Sequence, residues 1–266
     1  GVPMRMFYVR QIVLFCCFCL SISAYGFSAL VTPPRVEDKV KPGQIYRNII
    51  EITNASSERA RFTLATADWV LDAQGGAVFS DALAPGSCRQ WVGIEAPEIS
   101  LGPGAKRRYR YEVQVPQDAP SGECRFAIMV EGEPRVMPGS VGLPVSGRIG
   151  VIMYLSVGEA APSLHLENML TDVVNGERLP VARIRNDGNA HGRLEGMLDG
   201  VDAKGQKFTF FPGGEPIMPG VSRDIVLSVV PDPSAHRHQE IIWPLKLRGQ
   251  LDWGSQHIKI DITVSK

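Results

Sequence analysis

His236 and His238 stand two apart, a spacing that puts both imidazoles on one side of an extended segment and makes half a metal site. They lie in a loop of Pro, Asp and Ser with no third ligand in view, so the pair reads as a solvated loop. Asp187, Asp199 and Asp202 fall in turns and lack the spacing of a calcium loop. His191, in NDGNAHG, reads as a turn residue. No Ser-His-Asp order accompanies a nucleophile elbow, and no phosphate loop is present. Trp69, Trp91, Trp243 and Trp253 read as core and edge packing rather than a sugar platform. These residue types point away from an enzyme and imply no metal and no cofactor.

The remaining chemistry is that of a backbone. In VSGRIGVIMYLSV, residues 145–157, every second residue is apolar or glycine, and Ile149, Val151, Met153 and Leu155 make one row. Period two is the signature of a strand, because successive side chains point to opposite faces. Such a row either fills the chain's own sandwich or is presented to a partner. Ile152 and Tyr154 on the other face would let both faces be covered.

The elements around this row are also strands. IYRNIIEIT (45–53), RFTLATADWV (61–70), RQWVGIEAP (89–97), RRYRYEVQV (107–115) and CRFAIMVEG (124–132) are separated by Pro- and Gly-rich turns. No stretch of ten residues carries helical period with caps. A boundary falls near 158–163, after which the plan repeats. PVARIRNDGNAHG (180–192) echoes the strand ending at Asn54, and PGVSRDIVLSVVP (219–231) echoes PGAKRRYRYEVQVP (103–116). The reading is all-β: two β-sandwich domains in tandem, 27–158 and 159–266.

Residues 1–26 read as an export signal. Arg5 and Arg10 precede the apolar run 12–23, and AYG at 24–26 offers small residues for cleavage. The run is short for a membrane span, an uncleaved anchor being the alternative. No stable membrane insertion is expected after cleavage. The whole chain has 28 Lys+Arg against 28 Asp+Glu; removing 1–26 takes Arg5 and Arg10 and no acid, a net of −2. That balance gives no general pull toward nucleic acid. Of the five cysteines, only Cys88 and Cys124 lie beyond the signal. An even count in an oxidising compartment predicts one Cys88–Cys124 disulfide, with two free buried cysteines as the alternative.

PPRVEDKVKPGQIYRNIIEITNAS (33–56), ADWV (67–70), APGSCRQWVGIEAP (84–97), LGPGAKRRYRYEVQVPQDAPSGECRFAI (101–128), RIRNDGNAHGRL (183–194) and PIMPGVSR (216–223) together resemble the periplasmic pilus-assembly chaperones (PapD-like). The resemblance spans nearly all of the chain beyond the signal. It implies two immunoglobulin-like domains and a periplasmic, non-catalytic protein. It also implies a pilus or fimbrial subunit as partner, with an outer-membrane usher as a second.

In that family the last strand of the first domain is added to the incomplete fold of the subunit. This makes 145–157 the donor strand and Ile149, Val151, Met153 and Leu155 the donated row. The resemblance further implies a pair of basic residues that anchor the client's terminal carboxylate. Arg35 matches the first. Val151 stands where the second belongs, and Arg148, one strand turn earlier, is the candidate substitute. Leu155 replaces the family's interdomain Arg, which leaves Glu123, the match for its acidic partner, unpaired. The rival reading is a non-catalytic envelope adaptor or adhesive protein, whose tandem domains dock a surface protein or cell-wall polymer on preformed faces.

Overall fold

The computed structural model describes residues 28–136, 144–145, 147–234 and 239–266. The expected signal at 1–26 and the His236/His238 pair lie outside them, as does most of the loop 133–144. The strands are β1 (Ala29–Thr32), β2 (Arg35–Val40), β3 (Ile45–Asn54), β4 (Ala60–Leu71), β5 (Ala77–Ser80), β6 (Val92–Ile94), β7 (Glu98–Leu101), β8 (Lys106–Gln114), β9 (Gly122–Gly132), β10 (Arg135–Val136), β11 (Pro144–Val145) and β12 (Arg148–Val157) in the first half. The second half has β13 (Leu164–Val174), β14 (Glu177–Asn186), β15 (Leu198–Val201), β16 (Lys207–Pro212), β17 (Ser222–Val229), β18 (Leu245–Trp253) and β19 (Gln256–Val264). No helix among the described residues is long and apolar enough to cross a membrane.

The chain folds as two tandem immunoglobulin-like β-sandwiches. In the first, the sheet β1-β3-β8-β6 faces the sheet β2-β12-β9-β4-β5, with β7 also paired to β4. Pro33 and Pro34 cannot donate to a ladder, so β1 ends there and the chain crosses to the other sheet as β2. There β2 runs parallel to β12. Alternation places the core. Tyr109, Tyr111 and Val113 of β8 point inward and are buried, while Arg108 and Arg110 are exposed. Cys88 and Cys124 form a disulfide that ties the segment before β6 to β9. The expected strand at 89–97 differs in its first part. Arg89–Trp91 is a turn of 3-10 helix, and pairing begins only at Val92.

The second sandwich is one ribbon, β13-β14-β17-β16-β15-β18-β19. It folds over at β17, whose 222–226 pair with β14 and whose 227–229 pair with β16. This brings the end strands β13 and β19 into contact around a second core, with Ile184, Phe210, Ile225 and Leu247 among the fully buried residues.

The repeat seen in the sequence is physical. The Gly104 N–H donates to the Asn54 carbonyl at 2.8 Å, and the Gly220 N–H donates to the Asn186 carbonyl at 2.8 Å. Both glycines have positive φ, at 68° and 75°, which a side chain would strain.

Candidate functional site

β12 is the strand on which function turns, and its two edges differ. Along its whole length it pairs antiparallel with β9, from Arg148↔Glu131 to Val157↔Gly122. On the other edge β2 covers only its second half, from Ile152↔Arg35 to Val157↔Val40. The Ile152 N–H donating to the Pro34 carbonyl at 3.2 Å marks where that cover begins. Among the described residues, no strand pairs with 148–151 on this side. Backbone groups alternate sides along a strand, so Arg148 and Gly150, in phase with Ile152, turn theirs toward the open edge.

The apolar row lies mostly inside. Val151, Met153 and Leu155 are 1% exposed or less and belong to the first sandwich's own core. Only Ile149 is half-buried, and it sits on the open stretch. Three of the four expected donor side chains therefore fill the chain's own sandwich, because pairing with β9 fixes which face each takes.

The two candidate anchor residues are not brought together. Arg35 stands opposite Ile152, four residues beyond Arg148, or about 13 Å along the strand. Each already has acids beside it. Arg35 lies 3.6 Å from Glu37. Arg148 pairs with Asp81 at 3.2 Å and Glu131 at 3.4 Å. Arg35 remains half exposed, close to the point where the open edge meets β2.

The β4–β5 hairpin folds across the outer face of this sheet toward the same stretch. The Phe79 ring lies against the bare backbone of Gly150, where a Cβ would collide with it and come within 3.1 Å of Met129 Sδ. With Trp69, Ala127, Met129 and Tyr154, Phe79 forms a second apolar layer, and Met218 of the second sandwich packs onto it. The Trp69 indole N–H donates to the Phe126 carbonyl at 3.0 Å, which seats the ring on the sheet.

His191 is no ordinary turn residue. Its side chain is 10% exposed, and its ring stacks on Tyr154 with centroids 3.9 Å apart. Its Nδ1 lies 2.6 Å from Glu123 Oε2 and its Nε2 lies 2.6 Å from Glu37 Oε1. Its backbone N–H also donates to Glu123 Oε2, at 3.2 Å. Glu123, expected to be unpaired, is thus satisfied by the second domain and by Arg125, 3.5 Å away. Arg193 donates to Glu37 at 3.0 Å and to the Gly214 carbonyl at 2.7 Å, with its guanidinium 5.8 Å from the Tyr154 ring centre. Burial alone would raise the Glu37 carboxyl, but Arg193 and His191 outweigh it and hold it below the usual carboxylate range. Burial pushes the Tyr154 phenol up. No spacing in the sequence signals this joint, since its partners are 68 and 154 residues from His191.

No protein-family model matches this sequence, and no curated protein matches it. Solved structures similar to it include the class 5 fimbriae chaperone CfaA, at 14% identity and TM-score 0.46, with 88% of this chain and 98% of that one covered. The Escherichia coli chaperone DraB is similar at 16% identity and TM-score 0.43, with 89% and 98% covered. A third is a chaperone–tip subunit pre-assembly complex from archaic Csu pili of Acinetobacter baumannii, at 13% identity and TM-score 0.44, with 90% and 100% covered.

Proposed function

We propose that this protein is a periplasmic, non-catalytic chaperone that holds a pilus or fimbrial subunit by strand addition at the open edge of β12. The observation that carries the reading is the half-covered edge: β2 closes 152–157, and among the described residues no strand pairs with 148–151 on that side. An added strand would take its hydrogen bonds from Arg148 and Gly150, with Ile149 offering the apolar contact. Running parallel to β12, it would end where β2 starts. Its terminal carboxylate would then meet the exposed Arg35. The sequence resemblance to the pilus chaperones supports the same reading, and an outer-membrane usher would receive the complex. Val151, Met153 and Leu155 serve as the rigid floor that holds this edge in place. The expected domains, 27–158 and 159–266 behind a signal at 1–26, belong to the same proposal.

One observation favours the adaptor reading. Most of the apolar row is closed into the core, as in a protein that binds on preformed faces. Native purification of the tagged protein from the periplasm, beside an Arg148→Pro variant, separates the two. Proline removes an outward N–H and leaves the β9 ladder intact. A stoichiometric β-rich subunit that is lost in the variant upholds strand addition. A partner retained by the folded variant, or cell-wall fragments, establishes the adaptor.

A further inference from the structure

The outer face of the open edge has a gap in its row of side chains, and a neighbouring element fills it. Along β12, Arg148, Gly150, Ile152 and Tyr154 share the outer face. Ile152 and Tyr154 join the outer apolar layer, while Val151, Met153 and Leu155 fill the core. Gly150 is the bare position in this row. The space its side chain would take is held by Phe79, since a Cβ there would collide with Cζ and Cε1 of the ring.

The ring is held from several sides. Phe79 stands opposite Trp69 in the β4–β5 hairpin, and it packs on the layer that contains Met129, the β9 neighbour of Gly150. Asp72 closes the turn of the hairpin, its Oδ1 accepting the N–H groups of Gln74 and Gly76 at 3.0 and 2.8 Å. Gly75 of that turn rests against the Arg223 guanidinium of the second sandwich. Just past β5, Asp81 pairs with Arg148 at 3.2 Å.

We propose that Phe79 is a specificity-determining residue of the strand-addition site. It stands in for the side chain that Gly150 lacks and selects an apolar residue, aromatic or β-branched, at the one position of the added strand beside Gly150. The inference rests on strand addition at the open edge of β12. Residues directly opposite on neighbouring strands point to the same face, whichever way the strands run, and the next strand lies about 4.8 Å away. The partner residue beside Gly150 therefore rises on the outer face next to the half-buried Phe79. Aromatic–aromatic and aromatic–β-branched pairs are favoured across strands, whereas a charge set against the ring loses water without gaining a partner. Two residues away on the same face the demand reverses. The partner residue beside Arg148 meets Asp81 and Glu131 as well, a charged surround. The partner residue beside Ile149 points to the inner face, away from Phe79.

The test pans the purified protein against random peptides of about six residues, the usual strand length. Each peptide is displayed with a free terminal carboxylate, which sets the register at Arg35. Wild type is expected to enrich apolar over charged residues at one outward position by roughly three- to tenfold. Phe79→Ala is expected to lose that preference and to keep the apolar preference beside Ile149. Phe79→Leu is expected to keep an apolar preference at the outward position and to lose the aromatic one. Peptides selected alike by wild type and folded Phe79→Ala overturn the role of Phe79 and leave strand addition standing. No enrichment by wild type, or the same peptides on Arg148→Pro, sinks strand addition and the subsite with it. Should Phe79→Ala not fold, Phe79→Leu decides, and an aromatic share unchanged from wild type overturns the proposal.

Discussion

Asn54 and Asn186 are one structural device used twice. Each is fully buried at the end of its strand, β3 or β14, and spends its side chain on backbone. Asn54 Nδ2 donates to the carbonyls of Glu58, Leu101 and Gly102 at 2.7–3.1 Å, while its Oδ1 accepts the Ser56 N–H. Asn186 Nδ2 donates to Ala190 and Ile217, and its Oδ1 accepts from Ser163 and Gly188. Replacing either with Leu leaves several carbonyls and amides without partners. The expected loss is about 2–4 kcal/mol for each, read from denaturant unfolding. Because the two sites lie in different cores, the double variant is expected to be additive.

Gly150 gives the Phe79 ring room to lie across β12. Gly150→Ala is expected to cost about 1–3 kcal/mol through overpacking. A second substitution, Phe79→Ala, is expected to recover part of that loss. A double-mutant cycle without coupling would show that the ring does not rest there.

Val151 and Ile149 separate core from edge on one strand. Val151→Asp buries a charge in the first core, with an expected cost of roughly 3–5 kcal/mol. Ile149→Asp is expected to cost about 1 kcal/mol or less, and to abolish the proposed subunit binding while the protein stays folded. Circular dichroism melts set beside co-purification check both. A well-folded Val151→Asp would sink the assignment of this residue to the core.

The Cys88–Cys124 disulfide spans 36 residues. Chain-entropy arguments give its loss a cost of about 4 kcal/mol. A Cys88→Ser, Cys124→Ser double variant is expected to unfold at correspondingly lower denaturant, as is the reduced wild type. Equal midpoints with and without the bond would contradict this.

Glu37 sets an acid limit on stability. Its carboxyl is held below the usual range in the folded protein, so its contribution is fully present above the ordinary carboxylate titration. It is lost as pH falls through the lowered folded value. Glu37→Gln is therefore expected to unfold less steeply with acid than the wild type and to be less stable at neutral pH. Unfolding midpoints measured across an acid series test the sign.

Local pattern alone carried much of the fold. The alternation in RRYRYEVQV decides which face of β8 is wet, because a strand has only two faces and burial must choose one. The Asn-plus-Pro-Gly echo exposed the repeat, since the same backbone turn demands the same residues. An even pair of cysteines gave the disulfide. Tertiary structure alone decided three matters. An apolar row in 145–157 looks the same whether it fills its own groove or another's, and only pairing with β9 and β2 showed Val151, Met153 and Leu155 turned inward. The open edge at 148–151 is a property of where β2 starts, and β2 lies more than a hundred residues away. The roles of His191 and Glu123 arise from two domains meeting, and side chains 68 residues apart leave no spacing by which one could be read from the other.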